Sequence, residues 1–358
     1  MDVFLMIVQV VIVLGVLIFF HEFGHFLASL AVGIPVDEFG FGFPPRMLKI
    51  GEWKGTEITL NWIPFGAFVR PRGEDEENIE GGMASAPAWK RFVIALAGPA
   101  MNFLIGIILL IVIFTAQGVP ASDQALISEV AANSPAEAAG LQVSDIVTAM
   151  NGEQVETISQ VSATTLENIG NEITVTVDRD GTALTFALIP RVNPPEGEGS
   201  MGIGLTNPLK PTPFFEAVGV AFESTGYVIK ETLLLPGRLI TGAVDAAEAR
   251  PVGYKGIYDI YSQAVTMDEE SDMVTAEPLP IYTLAIIANI SLALGITNLL
   301  PIPALDGGRI LFTLPELLFK KRIPQEWENT VNTVSFILLL LLMAFITILD
   351  FTNPVVLP

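Results

Sequence analysis

Four long apolar runs divide the 358-residue chain: about Val3 to Val32, Arg91 to Gly118, Ile281 to Leu300 and Val331 to Asp350. A helix needs about 20 residues to cross a hydrocarbon core of ~30 Å, so each run predicts a transmembrane helix. The first run has no basic stretch before it, unlike a secretory signal. Between the first two runs, Glu57–Ile63 alternates Ile58, Leu60 and Trp62 with Glu57, Thr59 and Asn61. With Arg46–Ile50 and the turn at Glu52–Gly55, this predicts a β-hairpin with one apolar face, followed by a third extended piece, Gly66–Arg70. The acidic Glu74–Glu80 is a linker. After the second run, 119–206 turns soluble in character, with short alternating strands and turn signals. Phe214, Val218, Phe222, Val228, Leu233 and Leu235 predict an amphipathic helix over 214–241, suited to a membrane surface. Ser262–Pro280 is acidic and is expected to be a flexible lead into the third span. The expected segments are thus 1–32, 33–90, 91–118, 119–206, 207–280, 281–308, 309–328, 329–350 and a tail, 351–358.

The polar residues inside the apolar runs carry the chemistry. His21-Glu22-Phe23-Gly24-His25 is an H-E-x-x-H motif set inside the first run. Positions i and i+4 share a helix face, so His21 and His25 can aim at one metal ion, with the Glu22 carboxylate beside it to take a proton from water. Ionisable residues are expensive in lipid and mark sites. The chain has only 2 histidines, and this motif holds both. With no third histidine and no cysteine, a further protein ligand has to be a carboxylate or another oxygen donor. Asp306 is the best-placed candidate, just after Pro301 and Pro303 break the third helix; the alternative is a turn aspartate capping the next helix. Asn102, in the second run, is either a packing group or part of a site, and Gly98 and Gly106 allow close helix approach.

Composition narrows the class and orients the chain. With 51% hydrophobic residues, this is not an ordinary soluble protein, and a net charge of −21 excludes nucleic-acid binding. Residues 119–280 hold 7 Lys/Arg against 23 Asp/Glu, whereas 33–91 hold seven of the 18 basic residues and 309–322 hold four. The positive-inside rule puts those two basic loops in the cytoplasm, and both termini and the 119–206 region outside. His21, about 20 residues into the first helix, and Asp306, about 25 residues past Ile281, then reach a similar depth towards the cytoplasmic side. The expected fold is therefore a multi-pass α-helical membrane protein of four transmembrane helices, sited in the cell membrane, with a cytoplasmic β-hairpin.

Two resemblances extend this reading. Ile127–Val130, Asn133–Leu141, Ser144–Val147, Asn151-Gly152 and the strands at Ile173–Asp178 and Leu184–Ile189 resemble a bacterial PDZ domain, one copy, outside the membrane. His21–His25, the Gly98-Pro99 to Asn102 stretch and Asn298–Gly308 with its Leu-Asp-Gly core resemble the bacterial branch of the site-2 protease family, over nearly the whole chain. That resemblance implies an intramembrane zinc metalloprotease with one Zn2+ held by His21, His25 and Asp306, and Glu22 activating water. It implies cleavage of single-pass membrane proteins, such as anti-sigma factors, in regulated intramembrane proteolysis. A substrate peptide or ectodomain would meet the PDZ domain. Asn102 and Asn298 are candidates for holding substrate backbone or the oxyanion, and Thr59, Leu60 and Gly66 for pairing with an unwound substrate strand. The alternative is a non-proteolytic membrane zinc protein, a transporter or metal-dependent scaffold.

Overall fold

In a computed structural model, residues 3–74, 79–195, 197–244, 251–275 and 279–353 are described. Outside them lie 1–2, 75–78 of the acidic linker, 196, 245–250, 276–278 of the lead and 354–358 of the tail. The chain divides into two compact units, one of Met1–Ile113 with Val218–Pro358, the other of Phe114–Ala217.

The first unit opens with α1 (Val3–Ala31), an apolar helix of 29 residues that carries the H-E-x-x-H motif. Two strands follow, β1 (Val36–Trp53) and β2 (Thr56–Pro71), joined by a tight turn in which Lys54 and Gly55 both take positive φ, 51° and 83°. The pair is more elaborate than the expected hairpin. Glu38, Phe39, Gly40 and Phe41 each pair twice, with Glu57–Leu60 on one side and with Ala67–Arg70 on the other. The strand segments therefore lie in the order 67–71, 36–41, 57–60, 46–53. Thr59 and Leu60, two of the candidates for pairing with a substrate strand, are interior: Thr59 pairs with Gly40 and Lys49, and Leu60 with Phe41 and Leu48. A strand hydrogen-bonded on both sides has no ladder positions left for a peptide. The sheet is tied to α1 by a cluster of Phe26, Val36 and Phe39, with Phe19, Phe23, Phe41 and Val69 around it.

Helix α2 (Ala88–Gln117) starts three residues before the expected span and crosses α1 at a contact only glycine permits. A Cβ on Gly24 would stand 2.4 Å from the Ala97 carbonyl oxygen.

The second unit is built on an antiparallel sheet. A two-residue strand, β3 (Val119–Pro120), leads to β4 (Ala125–Val130), helix α3 (Pro135–Ala139), β5 (Ile146–Met150) and β6 (Glu153–Gln154). Helix α4 (Ile158–Glu167), β7 (Ile173–Arg179), β8 (Thr182–Leu188), β9 (Ile203–Thr206) and β10 (Leu209–Lys210) complete it. The strand order is β8-β7-β5-β4-β9, with β6 on β5, while β10 pairs with β3 as a separate ribbon. Its core is Ile127, Leu141, Val147, Met150, Val161, Ile173, Val175 and Val177, all nearly solvent-free. Helix α3 has both of its ends closed, by the Ser134 side chain accepting from Glu137 N and by Gly140 in the left-handed region, φ 94°.

The chain returns through the long helix α5 (Phe214–Thr241), where an amphipathic helix is expected. The expected flexible lead is different: most of it is helical, as α6 (Tyr254–Thr275). Tyr261 joins Met6, Val10 and Leu14 of α1 in a buried cluster, with Ile257, Tyr258 and Val265 alongside. Two carboxylates fix α6. Asp350 accepts the Gly253 and Gly256 N–H groups at 2.9 and 3.0 Å, and Asp268 accepts those of Tyr282 and Thr283, both at 2.9 Å. The latter caps α7 (Ile281–Leu299). After the Pro301–Pro303 break comes α8 (Asp306–Phe319), where a loop is expected, and then α9 (Gln325–Thr352). Among the described residues, helices α1, α2, α7 and α9 are the four that are long and apolar enough to cross a membrane.

Candidate metal centre

Three elements meet where α1, α2 and α8 converge. His21 and His25 lie one turn apart on α1, so local helix geometry alone brings their rings together. Asp306 is the first residue of α8; Leu305 holds the N-cap position, so the aspartate is not spent on capping its own helix. The helix can begin there because residues 307 and 308 are glycines. A Cβ at Gly307 would stand 2.1 Å from the Leu300 carbonyl oxygen, and one at Gly308 2.5 Å from that of Ile302.

The three donor atoms form a nearly equilateral triangle. His21 Nε2 is 3.2 Å from His25 Nε2, and Asp306 Oδ2 is 3.1 and 3.3 Å from the two nitrogens. Oδ2 is buried and has no properly angled hydrogen bond among the described residues, so its two short distances are not hydrogen bonds. They match a different demand. Ligands bonded tetrahedrally to zinc at ~2.0–2.1 Å stand about 3.3 Å apart, and three of them leave the fourth corner open. The residues present therefore fit zinc.

The surroundings orient these groups. His25 Nδ1 stands 2.7 Å from the Ile94 carbonyl oxygen, and His21 Nδ1 3.1 Å from the Asn102 amide. Gly98 on α2 makes the space: a Cβ there would lie 2.3 Å from His25 Nε2 and 2.8 Å from His21 Cε1. Glu22 accepts the Val69 N–H at 3.2 Å, which links the motif to the outer stretch of β2. A cavity of about 290 Å³ opens on the triangle, lined by Glu22, Phe68, Val69, Asn298 and Arg309 among others.

Of the expected site residues, the structure brings together His21, Glu22, His25, Asn102, Asn298 and Asp306. It does not bring Thr59, Leu60 or Gly66 to the cavity. Thr59 is fully buried with its hydroxyl on Glu38, and Gly66 lines a separate apolar groove along α1. Sequence reasoning missed Gly98 as a space-maker and the Ile94 carbonyl, whereas Phe68 and Val69 lie in the expected third extended piece, Gly66–Arg70.

Comparison with known proteins settles the class. The model of peptidase family M50 matches residues 9–342. The chain belongs to that family. A Campylobacter jejuni protein named as a zinc metalloprotease is 33% identical to this M50 peptidase, over 96% of this chain and 92% of its own. A Clostridium acetobutylicum protein of the same kind is 29% identical over 98% and 99%. The zinc metalloprotease RasP of Geobacillus kaustophilus is 28% identical over 95% and 96%. With four membrane-length helices, this M50 peptidase is an intramembrane zinc metalloprotease of the site-2 type, in its bacterial branch. The non-proteolytic alternative gives way.

Proposed function

We propose that His21, His25 and Asp306 hold the zinc and that Glu22 is the general base. The observation that carries this is the triangle of donor atoms with a carboxylate one residue from its first corner. Zinc, when bound, makes water a nucleophile near neutral pH and polarises the scissile carbonyl. The Glu22 carboxylate takes the proton of the attacking water and passes it to the leaving amide nitrogen. Asn298, in the cavity wall, offers an amide donor to the substrate backbone.

The substrates are single-pass membrane proteins cut within or near the bilayer, in regulated intramembrane proteolysis. Peptide bonds in a helix are concealed, so the segment to be cut unwinds. The segment 67–71 pairs with β1 on one side only, and its Phe68, Val69 and Pro71 border the cavity. That edge, rather than Thr59 and Leu60, is where an extended substrate adds a strand. The basic loops support a topology with 33–90 and 309–328 in the cytoplasm and the termini outside. The second unit acts outside as a PDZ domain. Supporting this, β9 has β4 as its one neighbour among the described residues, and a cleft lined by Val161, Thr165, Leu166, Met201 and Ile203 runs between it and α4.

Co-expression with candidate single-pass proteins, comparing wild type with Glu22→Gln by blotting, tests the reading. Glu22→Gln removes the base without removing a ligand. It should keep zinc and lose cleavage by about 10²–10⁴-fold. Zinc lost together with activity would make Glu22 a ligand and overturn the assignment.

A further inference from the structure

A histidine that gives Nε2 to a metal must carry its proton on Nδ1, and that N–H needs an acceptor that fixes the ring. For His25 the acceptor is the Ile94 carbonyl oxygen at 2.7 Å, which can do nothing but accept. For His21 the neighbour at Nδ1 is the side chain of Asn102, at 3.1 Å. Asn102 is 1% exposed, and its backbone carbonyl is occupied by the Ser291 hydroxyl of α7 at 2.8 Å.

The amide nitrogen of Asn102 faces His21, and its Oδ1 is buried without a hydrogen-bond partner among the described residues. In that arrangement Nδ1 of His21 accepts and its proton sits on Nε2, pointing at His25 Nε2 and Asp306 Oδ2. No lone pair is then left there for a metal. A half-turn of the amide about Cβ–Cγ exchanges oxygen for nitrogen in almost the same volume. It gives the orphaned oxygen a donor and moves the imidazole proton to Nδ1. The Nε2 lone pair of His21 is then free to face a metal, and the amide nitrogen takes the position the oxygen held.

We infer that Asn102 is the positioning residue of His21: its amide oxygen accepts the Nδ1–H and fixes the tautomer whose Nε2 lone pair faces the zinc. Its role is therefore on the metal side, not the oxyanion role expected from sequence. The inference rests on His21 being a zinc ligand.

The test uses the full chain in detergent, with zinc affinity measured by competition against a chelator for wild type, Asn102→Asp and Asn102→Leu. Leucine fills the space and accepts nothing, so binding should weaken about 10–100-fold. Aspartate keeps an acceptor and no donor, so its binding should stay within about threefold of wild type or tighten. An Asn102→Leu protein that binds zinc as wild type does would overturn the inference. So would an Asn102→Asp protein as weak as Asn102→Leu, because the amide would then act as donor. If the leucine variant does not fold, the aspartate result still decides between donor and acceptor. The cobalt-substituted protein gives an independent reading by proton NMR. Wild type and Asn102→Asp should each show two slowly exchanging, hyperfine-shifted imidazole N–H signals, and a single one in wild type would overturn the inference. His21→Ala in the same competition assay separates the two layers. If it binds zinc normally, the ligand set itself is wrong; if it loses zinc, a failure at Asn102 concerns only the positioning.

Discussion

The α1–α2 contact leaves no room for a methyl group at position 98. Gly98→Ala would put a carbon 2.3 Å from His25 Nε2, and that carbon belongs to a packed helix that cannot yield. Alanine is the better helix former by about 1 kcal/mol, so propensity alone predicts a more stable protein. Steric exclusion wins locally: Gly98→Ala should purify with little zinc and cleave poorly while the metal-free fold melts no earlier than wild type. Zinc content and the thermal midpoint of the chelator-treated protein check both halves. A variant with full zinc would show that the rings have somewhere else to go. At this scale the motif was legible because i and i+4 geometry is local, and Asp306 because histidine and cysteine were exhausted. Asp306 itself has a direct check: Asp306→Asn should bind zinc far more weakly, and full occupancy on metal analysis would remove it from the ligand set. Gly98 was legible only as a packing glycine, since nothing in a sequence says which side chains stand across a helix contact. Asn102 was legible as a polar group in need of a partner, but its partner lies 81 residues away in the chain.

Among the elements, β2 separates two kinds of proline substitution. Thr59→Pro breaks a strand paired on both sides and removes the hydroxyl bond to Glu38, so the sheet should collapse and zinc should fall with it. Val69→Pro instead removes the N–H that Glu22 accepts on the free edge. It should keep zinc and lower cleavage at least tenfold. Equal zinc loss in both variants would argue that the edge is structural. The alternation in Glu57–Ile63 made β2 readable, but Phe39, Phe41 and Phe43 alternate equally well in β1 and were hidden by Gly40, Gly42, Pro44 and Pro45. Acidic composition concealed α6 in the same way. Its apolar stripe, Ile257, Tyr258, Tyr261 and Val265, has helical spacing, but the carboxylates that suggested a solvated lead include Asp268, which is a buried cap. Helix α8 was missed because Gly307, Gly308 and Pro315 are ordinarily breakers. Here the glycines are what lets the helix start against the Leu299 and Leu300 carbonyls.

For the molecule as a whole, the absence of cysteine makes single-site labelling clean. A cysteine at the exposed Ser159 should react with an impermeant reagent on intact cells, and one at Glu52 only after permeabilisation. The reverse pattern would invert the proposed topology. The second unit also carries an acid-sensitive lock. Burial pushes the Asp145 carboxyl up, but the Arg179 guanidinium, at 2.6 and 2.7 Å, and the Gln142 N–H outweigh it and hold it below its ordinary 3.8. A depressed folded value means stability that is present above about pH 4 and lost as pH falls further. Protease sensitivity of residues 114–217 should thus rise below about pH 4 in wild type, and Asp145→Asn should be sensitive already at pH 6 with a flatter profile. Identical profiles would leave the pair without a role. Finally, β3 and β10 lie side by side, with Pro120 opposite Leu209 and the Ala121 N–H on the Pro208 carbonyl oxygen. The chain thus leaves for the second unit and comes back from it at adjacent points. To a genome this is a seam: everything between residues 121 and 208 can be excised, copied or exchanged by one in-frame event that leaves the flanking chain ends already within bonding reach. The second unit can therefore change by recombination over generations while the helices that carry His21, His25 and Asp306 are inherited untouched.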